Sequence, residues 1–223
     1  ERLENFLDAI RRVYTSTMNR EALTYRAHWG LLERDEQMAV LVQRVSGSVN
    51  GERFFPHVAG VGVSFNPYVW CDEIEPEAGM MRLVFGLGTR AVDRVGDDYP
   101  RIVAINAPLR RPEGGAGDVG RYSQHRCDVL DLQANPLRSV PFEAIAGDFK
   151  GPAMNIFASR DLELERRLRE AGRDGFSWML TFDELLSNGG FVRRMSEMMK
   201  ALEEAYDHPV DIEFTANFRN MED

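Results

Sequence analysis

Two carboxylates near the end of the chain, Asp211 and Glu213, have a spacing that suits metal binding. They alternate with Val210, Ile212 and Phe214, which is the period-2 pattern of a half-buried strand. Such a strand places both carboxylates on one face. Paired carboxylates on a rigid strand suit Mg²⁺, which takes one or two of them together with substrate phosphates. The same pattern fits a strand with one face in water, and the spacing leaves both interpretations open.

A glycine-rich turn is the second feature that could carry chemistry. Gly86-Leu87-Gly88-Thr89-Arg90 follows the apolar stretch Met80–Phe85, which is predicted to be a strand. Glycines after a strand let backbone N–H groups approach phosphate oxygens, and Arg90 and Arg94 would add charge-assisted hydrogen bonds. A plain glycine turn with solvated arginines explains the same residues.

Other chemistry-bearing patterns lack the context that their chemistry requires. Gly115–Gly120 matches G-x-G-x-x-G, but no strand directly precedes it, so a flexible loop over 106–124 is predicted instead of a dinucleotide site. The four histidines show no zinc-ligand spacing, and no G-x-S-x-G elbow is present. The sequence therefore gives no support to zinc or serine-hydrolase chemistry.

Composition and charge narrow the class of protein further. The chain has 223 residues and a formal net charge of −9, which argues against general nucleic-acid binding. It has no apolar run of membrane-spanning length, and its two cysteines cannot form a disulfide framework. A cytoplasmic protein with no membrane partner is expected. Because the chain begins at Glu1 with neither a starting Met nor a signal peptide, we expect it to be an excerpt from a longer protein.

The elements that position these residues follow from hydrophobic periodicity. An amphipathic helix is predicted over 3–15, and a second one begins at Asn19 as its N-cap and continues through Tyr25. Strands are predicted at Met38–Val45, Val58–Phe65, Met80–Phe85, Arg101–Ile105 and Cys127–Leu132. After residue 136 the chain is predicted to be mostly helical, with methionines filling the core side of a helix that begins after Gly189-Gly190.

This order of elements predicts an α+β fold with a mixed or antiparallel sheet and flanking helices. We expect one domain in two parts. The first, 1–135, is strand-rich and carries two N-terminal helices. The second, 136–223, is helical and ends in the closing strand with the candidate metal ligands.

Taken together, these segments resemble the nucleotide-binding domain of phosphoenolpyruvate synthase and pyruvate phosphate dikinase. The family pattern has a strand ending in V-x-V-Q, then S-G-V-x-x-S/T-x-N-P, G-L-G-E-x-V-V, D-x-Y and D-I-E-F/W. Five segments match it in order, namely Val40-Leu41-Val42-Gln43, Ala59-Gly60-Val61-Gly62-Val63-Ser64-Phe65-Asn66-Pro67, Gly86-Leu87-Gly88-Thr89-Arg90-Ala91-Val92, Asp98-Tyr99 and Asp211-Ile212-Glu213-Phe214-Thr215.

The resemblance implies an ATP-grasp-like fold, present here as an incomplete domain, that binds ATP and Mg²⁺. It implies that Gln43 lies along the adenine, that Arg90 and Arg94 contact the phosphates, and that Glu213, with Asp211, holds the metal. In the family the phosphoryl acceptor is a histidine on a separate domain, which carries the group to pyruvate. The resemblance therefore implies a pyruvate, water dikinase-like phosphotransferase whose partners are phosphohistidine and pyruvate-binding domains, with no catalytic residue in this chain. The fragment alone is expected to be inactive.

Two alternatives stay open at the level of sequence. Thr89 stands where the family usually has glutamate, which favours a non-catalytic regulatory or interaction module that keeps the fold. An antibiotic phosphotransferase with the same nucleotide domain and another acceptor would give the same matches. Arg26 is a weaker candidate for a phosphate contact, because a surface helix explains it equally well.

Overall fold

The computed structural model describes residues 2–92, 96, 98–151, 153–188 and 190–218. The chain divides into two compact units, Glu1–Val45 and Ser46–Asp223. Among the described helices, none has both the length and the apolar content that crossing a bilayer requires. The predicted division of one domain near residue 135 stays a prediction.

The first unit contains the two predicted helices, α1 at Arg2–Ser16 and α2 at Arg20–His28. Asn19 caps α2 as predicted, because its side-chain oxygen accepts a hydrogen bond from the N–H of Ala22 at 2.7 Å. Both helix predictions are confirmed.

The strand predicted at Met38–Val45 is wrong, since this stretch has no regular secondary structure. A strand persists only where a neighbour satisfies its backbone N–H and C=O groups. None of the described strands pairs with this part of the first unit. Apolar periodicity indicated the strand, but periodicity does not supply a partner.

The second unit is built on antiparallel strands. Their bounds are β1 Ser48–Asn50, β2 Arg53–Phe55, β3 Val58–Val63, β4 Met80–Val84, β5 Arg101–Ala104, β6 Arg126–Asp131, β7 Leu137–Pro141, β8 Ala158–Arg160, β9 Trp178–Leu180 and β10 Asp211–Ala216. The strands predicted near 58–65, 80–85, 101–105 and 127–132 are confirmed as β3 to β6. The later strands β7, β8 and β9 correct the prediction of a mostly helical region after residue 136.

Short and long helices connect these strands. They are α3 Thr89–Val92, α4 Ala116–Arg121, α5 Glu143–Ala146, α6 Leu162–Glu170, α7 Asp183–Ser187 and α8 Gly190–Tyr206. Helix α4 lies inside the segment 106–124, which was predicted to be loop throughout. Its six residues include two glycines, which disfavour helix by propensity.

The strands form three sheets with the orders β1-β2-β6-β7, β10-β3-β4-β5 and β8-β9. Every strand pairing that the structure describes is antiparallel. The fold is therefore α+β with antiparallel sheets. In the sheet β10-β3-β4-β5, strand β10 lies at the edge although it comes last in the sequence.

One face of that sheet forms the core. Met81, Leu83 and Val103 are fully buried and belong to the same apolar cluster as Met195 and Met199 of α8. These two methionines fill the core as helical spacing predicted, whereas Met198, which the same spacing placed with them, is exposed. Because successive strand residues point to opposite faces, the alternate residues of these strands form a second face.

A buried histidine fixes the chain just beyond β10. The side chain of His57 is packed among Phe149, Phe157 and Phe218, and its Nδ1 accepts the backbone N–H of Phe218 at 2.9 Å. Its Nε2 is buried and has no hydrogen-bond partner within the described part of the chain. Burial lowers the pKa of His57, because the apolar surroundings disfavour the imidazolium.

We expect the free energy of unfolding to fall as the pH is lowered through 6.5, the ordinary pKa of histidine. In this range the unfolded chain takes up a proton at His57 that the folded protein resists, so acid favours unfolding. Urea unfolding at pH 8 and pH 5 measures the difference. A His57→Phe variant should show a smaller difference than wild type. An equal pH dependence in wild type and His57→Phe would contradict the assignment.

Candidate functional site

Strand β10 presents its two carboxylates as the sequence predicted. Asp211, Glu213 and Thr215 are exposed, while Ile212 and Phe214 are half-buried against the core. Asp211 and Glu213 lie about 7 Å apart along the strand on one face. Among the described residues, neither carboxylate takes part in an ion pair or side-chain hydrogen bond. Both are therefore available to a ligand.

The register of the sheet shows which residues share this face. Glu213 lies opposite Val61 of β3. Val61 in turn lies opposite Arg82 of β4, and Arg82 lies opposite Ile102 of β5. Residues directly opposite each other project from the same side of a sheet. This side of the sheet thus has an acidic edge and an arginine two strands from Glu213. Its central row is half-buried, whereas Ala59, Met80, Val84 and Ala104 on the same side are fully buried. We call this side the open face.

The glycine turn lies at one end of the open face. Helix α3, which follows the turn, packs on β3 and β4. A Cβ atom built on Gly88 would lie 3.4 Å from the Cβ of Ala59. Ala59 is itself the strand partner of Thr215, which lies two residues beyond Glu213 on the same side of β10. The fold therefore brings the turn and the acidic strand together, although more than 120 residues separate them in sequence.

Gly86 is required by the backbone at this turn. Its φ of +94° is disfavoured for residues with a side chain, and a Cβ there would lie 2.8 Å from the carbonyl oxygen of Asp128. The N–H of Leu87 donates to that same oxygen at 2.8 Å. The turn is thus fixed against β6, and this N–H is already used within the protein.

Arg90 is buried behind the turn. Its Nε donates to Asp128 at 3.0 Å, one terminal nitrogen donates to Asp98 at 2.6 Å, and the other donates to Ser139 at 2.6 Å. The hydroxyl of Thr89 donates to the second oxygen of Asp128 at 2.5 Å. Asp98 also accepts the backbone N–H groups of His125 and Arg126. Each guanidinium nitrogen therefore has a protein partner, and a phosphate contact by Arg90 stays a prediction.

The other predicted nucleotide contacts lie elsewhere. Gln43 is exposed in the irregular segment of the first unit, and its place along an adenine stays a prediction. Arg94 lies outside the described residues. Arg26 pairs with Glu36 at 2.7 Å and donates to the carbonyl of Arg34 at 3.0 Å, so within the first unit it ties α2 to the chain that follows.

A divalent metal fits the open face only with help from its ligand. Within the part of the chain that the structure describes, no three His, Cys, Asp or Glu side chains converge as a metal site. Asp211 and Glu213 provide two hard oxygen ligands. Mg²⁺ commonly binds through one or two carboxylates and completes its octahedron with water and phosphate oxygens. The donor set therefore suits a cation that arrives with a phosphorylated ligand.

A separate cleft of about 370 Å³ is a less suitable place for such a ligand. Phe142, Phe176 and Trp178 line it together with the carboxylates Glu143 and Asp161. No lysine or arginine is among its lining residues. Two carboxylates without a cation repel phosphate groups, so the open face is the better candidate for an anion.

Sequence reasoning missed Arg82, although the sequence carries a signal for it. Arg82 interrupts the otherwise apolar run Met80-Met81-Arg82-Leu83-Val84. In a strand whose neighbours Met81 and Leu83 face the core, the intervening residue must face the other side. The missing information was that Glu213 lies on that same side.

Comparison with known proteins gives one family. A family model described as pyruvate phosphate dikinase, AMP/ATP-binding domain, matches residues 1–222. No curated protein and no solved structure gives a significant match.

Proposed function

The chain belongs to the pyruvate phosphate dikinase AMP/ATP-binding domain family, and from this premise we propose that its open face binds ATP together with Mg²⁺. The carrying observation is that the exposed carboxylates Asp211 and Glu213 lie on the side of the sheet where Gly88 approaches Ala59, with the Gly86–Gly88 turn at the Thr215 end of β10. The domain would be of the ATP-grasp type and would serve a phosphoenolpyruvate synthase-like phosphotransferase. The acceptor histidine and the pyruvate site would lie on other domains.

Each part of the open face has a role in this proposal. Glu213 and Asp211 hold the cation at the edge of the sheet. When bound, the metal neutralises charge on the polyphosphate as a phosphoryl group is transferred. Val61 and Ile102 form an apolar floor that excludes water beneath the ligand, which strengthens nearby electrostatic interactions. Gly88 and Ala59, with little or no side chain, let the turn lie close to the acidic strand.

Calorimetric titration with ATP, with and without Mg²⁺, tests the proposal. We expect wild type to bind ATP in a Mg²⁺-dependent way, and Glu213→Gln to lower the affinity for Mg·ATP by roughly tenfold or more, because a neutral amide is a poor Mg²⁺ ligand. Glu213 is exposed, so the variant should keep its fold, which circular dichroism checks. Glu204→Gln, an exposed change on α8, is the control and should bind as wild type does.

The possible results separate the candidate functions. Loss of Mg²⁺ dependence in Glu213→Gln alone supports the open face as the nucleotide site. A folded wild type that ignores ATP would overturn the proposal and favour a non-catalytic interaction module. One observation favours that second candidate. At the position where the resembled family usually has glutamate, Thr89 carries no carboxylate and instead donates to Asp128.

A further inference from the structure

Among the described residues, Arg82 lacks the acidic partners that Arg90 and Arg111 have. Arg90 and Arg111 both form ion pairs with aspartates, with distances of 2.6 to 3.0 Å between guanidinium nitrogen and carboxylate oxygen. Arg82 is half-buried between the aliphatic side chains of Val61 and Ile102, and among the described residues its guanidinium makes no ion pair or hydrogen bond. Removing part of an arginine from water without a partner costs free energy. An arginine in this state is suited to a partner that comes from outside the protein.

The position of Arg82 identifies the charge of that partner. It projects from the open face two strand spacings from Glu213, or roughly 10 Å between their backbones. Both are long side chains that can reach toward each other above Val61. A metal ion held by Glu213 and the guanidinium of Arg82 would place two positive charges along the same face. This arrangement suits an elongated polyanion that binds a metal at one end. A triphosphate has this character.

We infer that Arg82 is a phosphate-binding residue of the open face, contacting the polyphosphate of the nucleotide while Glu213 and Asp211 hold its metal. This inference rests on the proposed function and names a residue for it. Arg90 is the less suitable cation because each of its guanidinium nitrogens already donates to Asp98, Asp128 or Ser139. No described residue accepts from the planar guanidinium of Arg82, so it can form two parallel hydrogen bonds to phosphate oxygens.

The test compares ATP, ADP, AMP and adenosine as ligands by titration in Mg²⁺, for wild type and Arg82→Gln. A phosphate contact predicts a loss of affinity that grows with the number of phosphates, from no change for adenosine to roughly tenfold or more for ATP. Arg82→Lys should lose less affinity for ATP than Arg82→Gln does, since lysine keeps the positive charge but lacks the paired N–H donors of the guanidinium. Arg166→Gln, an exposed arginine of α6, is the control and should leave all four affinities unchanged.

Each outcome bears on the inference. Suppose that wild type binds ATP through Glu213 and that Arg82→Gln binds each of the four ligands with the affinity of wild type. The inference is then wrong and the proposed function stands. A uniform loss for all four ligands, with a lower unfolding midpoint, would show a structural role and also overturn it. If wild type binds no ATP, the proposed function fails and the inference fails with it. A loss graded by phosphate number supports both.

Discussion

Replacing Arg90 by methionine is expected to destabilise the protein by about 3–5 kcal/mol. The side chains of Asp98 and Asp128 are 9% and 11% exposed, and Arg90 is the cation that pairs with both. Without it two carboxylates stay buried with no compensating charge, which costs far more than the ion pairs contribute when intact. Urea unfolding followed by circular dichroism measures the loss.

Arg110 provides a matched control. It forms an equally close, two-pronged pair with Glu73, at 2.5 and 2.7 Å, but both side chains are nearly 60% exposed. Because water solvates both groups when the pair is broken, Arg110→Met should change stability far less than Arg90→Met does. Equal losses in the two variants would contradict the argument from burial.

A second variant keeps the prediction testable if Arg90→Met does not fold. Arg90→Lys retains the positive charge, but a lysine cannot donate to Asp98, Asp128 and Ser139 at once. We expect it to fold with an intermediate loss of stability. Stability equal to that of wild type would show that the positive charge alone matters and that the arrangement of N–H donors on the guanidinium does not.

The Arg90 network also explains how the glycine turn is held. Asp128 accepts from Arg90 and Thr89 through its side chain, and from Leu87 through its backbone carbonyl. The turn is therefore tied to β6 at three points from behind. Arg90 lies where a direct phosphate contact was predicted from sequence, and in the structure it supports the backbone of that turn.

Local patterns predicted much of the second unit. Period-2 alternation identified β10 and the common face of Asp211 and Glu213, because side-chain direction in a strand depends only on the parity of the position. Helical spacing identified α8 and the burial of Met195 and Met199 for a similar reason. These features are encoded within a few neighbouring residues.

Features that depend on distant partners were not predictable in this way. The strand expected at Met38–Val45 has the right composition, but pairing decides whether a strand forms. Arg90 follows a glycine turn, and local sequence is compatible with a solvent-exposed side chain. It is buried because it pairs with residues such as Asp128, which is 38 residues away in sequence. Arg82 and Glu213 share a face only because β10 returns to the edge of β3. These features depend on contacts between distant segments, which the periodicity of a short stretch does not encode.

The second large effect concerns Gly60 at the centre of β3, where Gly60→Ala is expected to destabilise the protein by about 3 kcal/mol. A Cβ on Gly60 would lie closer than 3.0 Å to the backbone oxygen of Arg82 and 2.8 Å from the ring of Phe214. The oxygen belongs to the neighbouring strand and cannot move without disturbing the pairing of β3 with β4. Thermal and urea unfolding measure the cost.

Gly62 lies on the same strand and the same side, and it separates steric conflict from the loss of a glycine as such. A Cβ there would meet the sulfur of Met199 at 2.9 Å and Cγ1 of Ile212 at 3.2 Å, both of which are side-chain atoms. Methionine adapts readily, and alanine also restricts the unfolded chain, so Gly62→Ala should cost about 1 kcal/mol or less. If the two alanines cost the same, backbone contact is not the reason for Gly60. If only Gly60→Ala is costly, the strand that joins Arg82 to Glu213 depends on a position where only glycine fits.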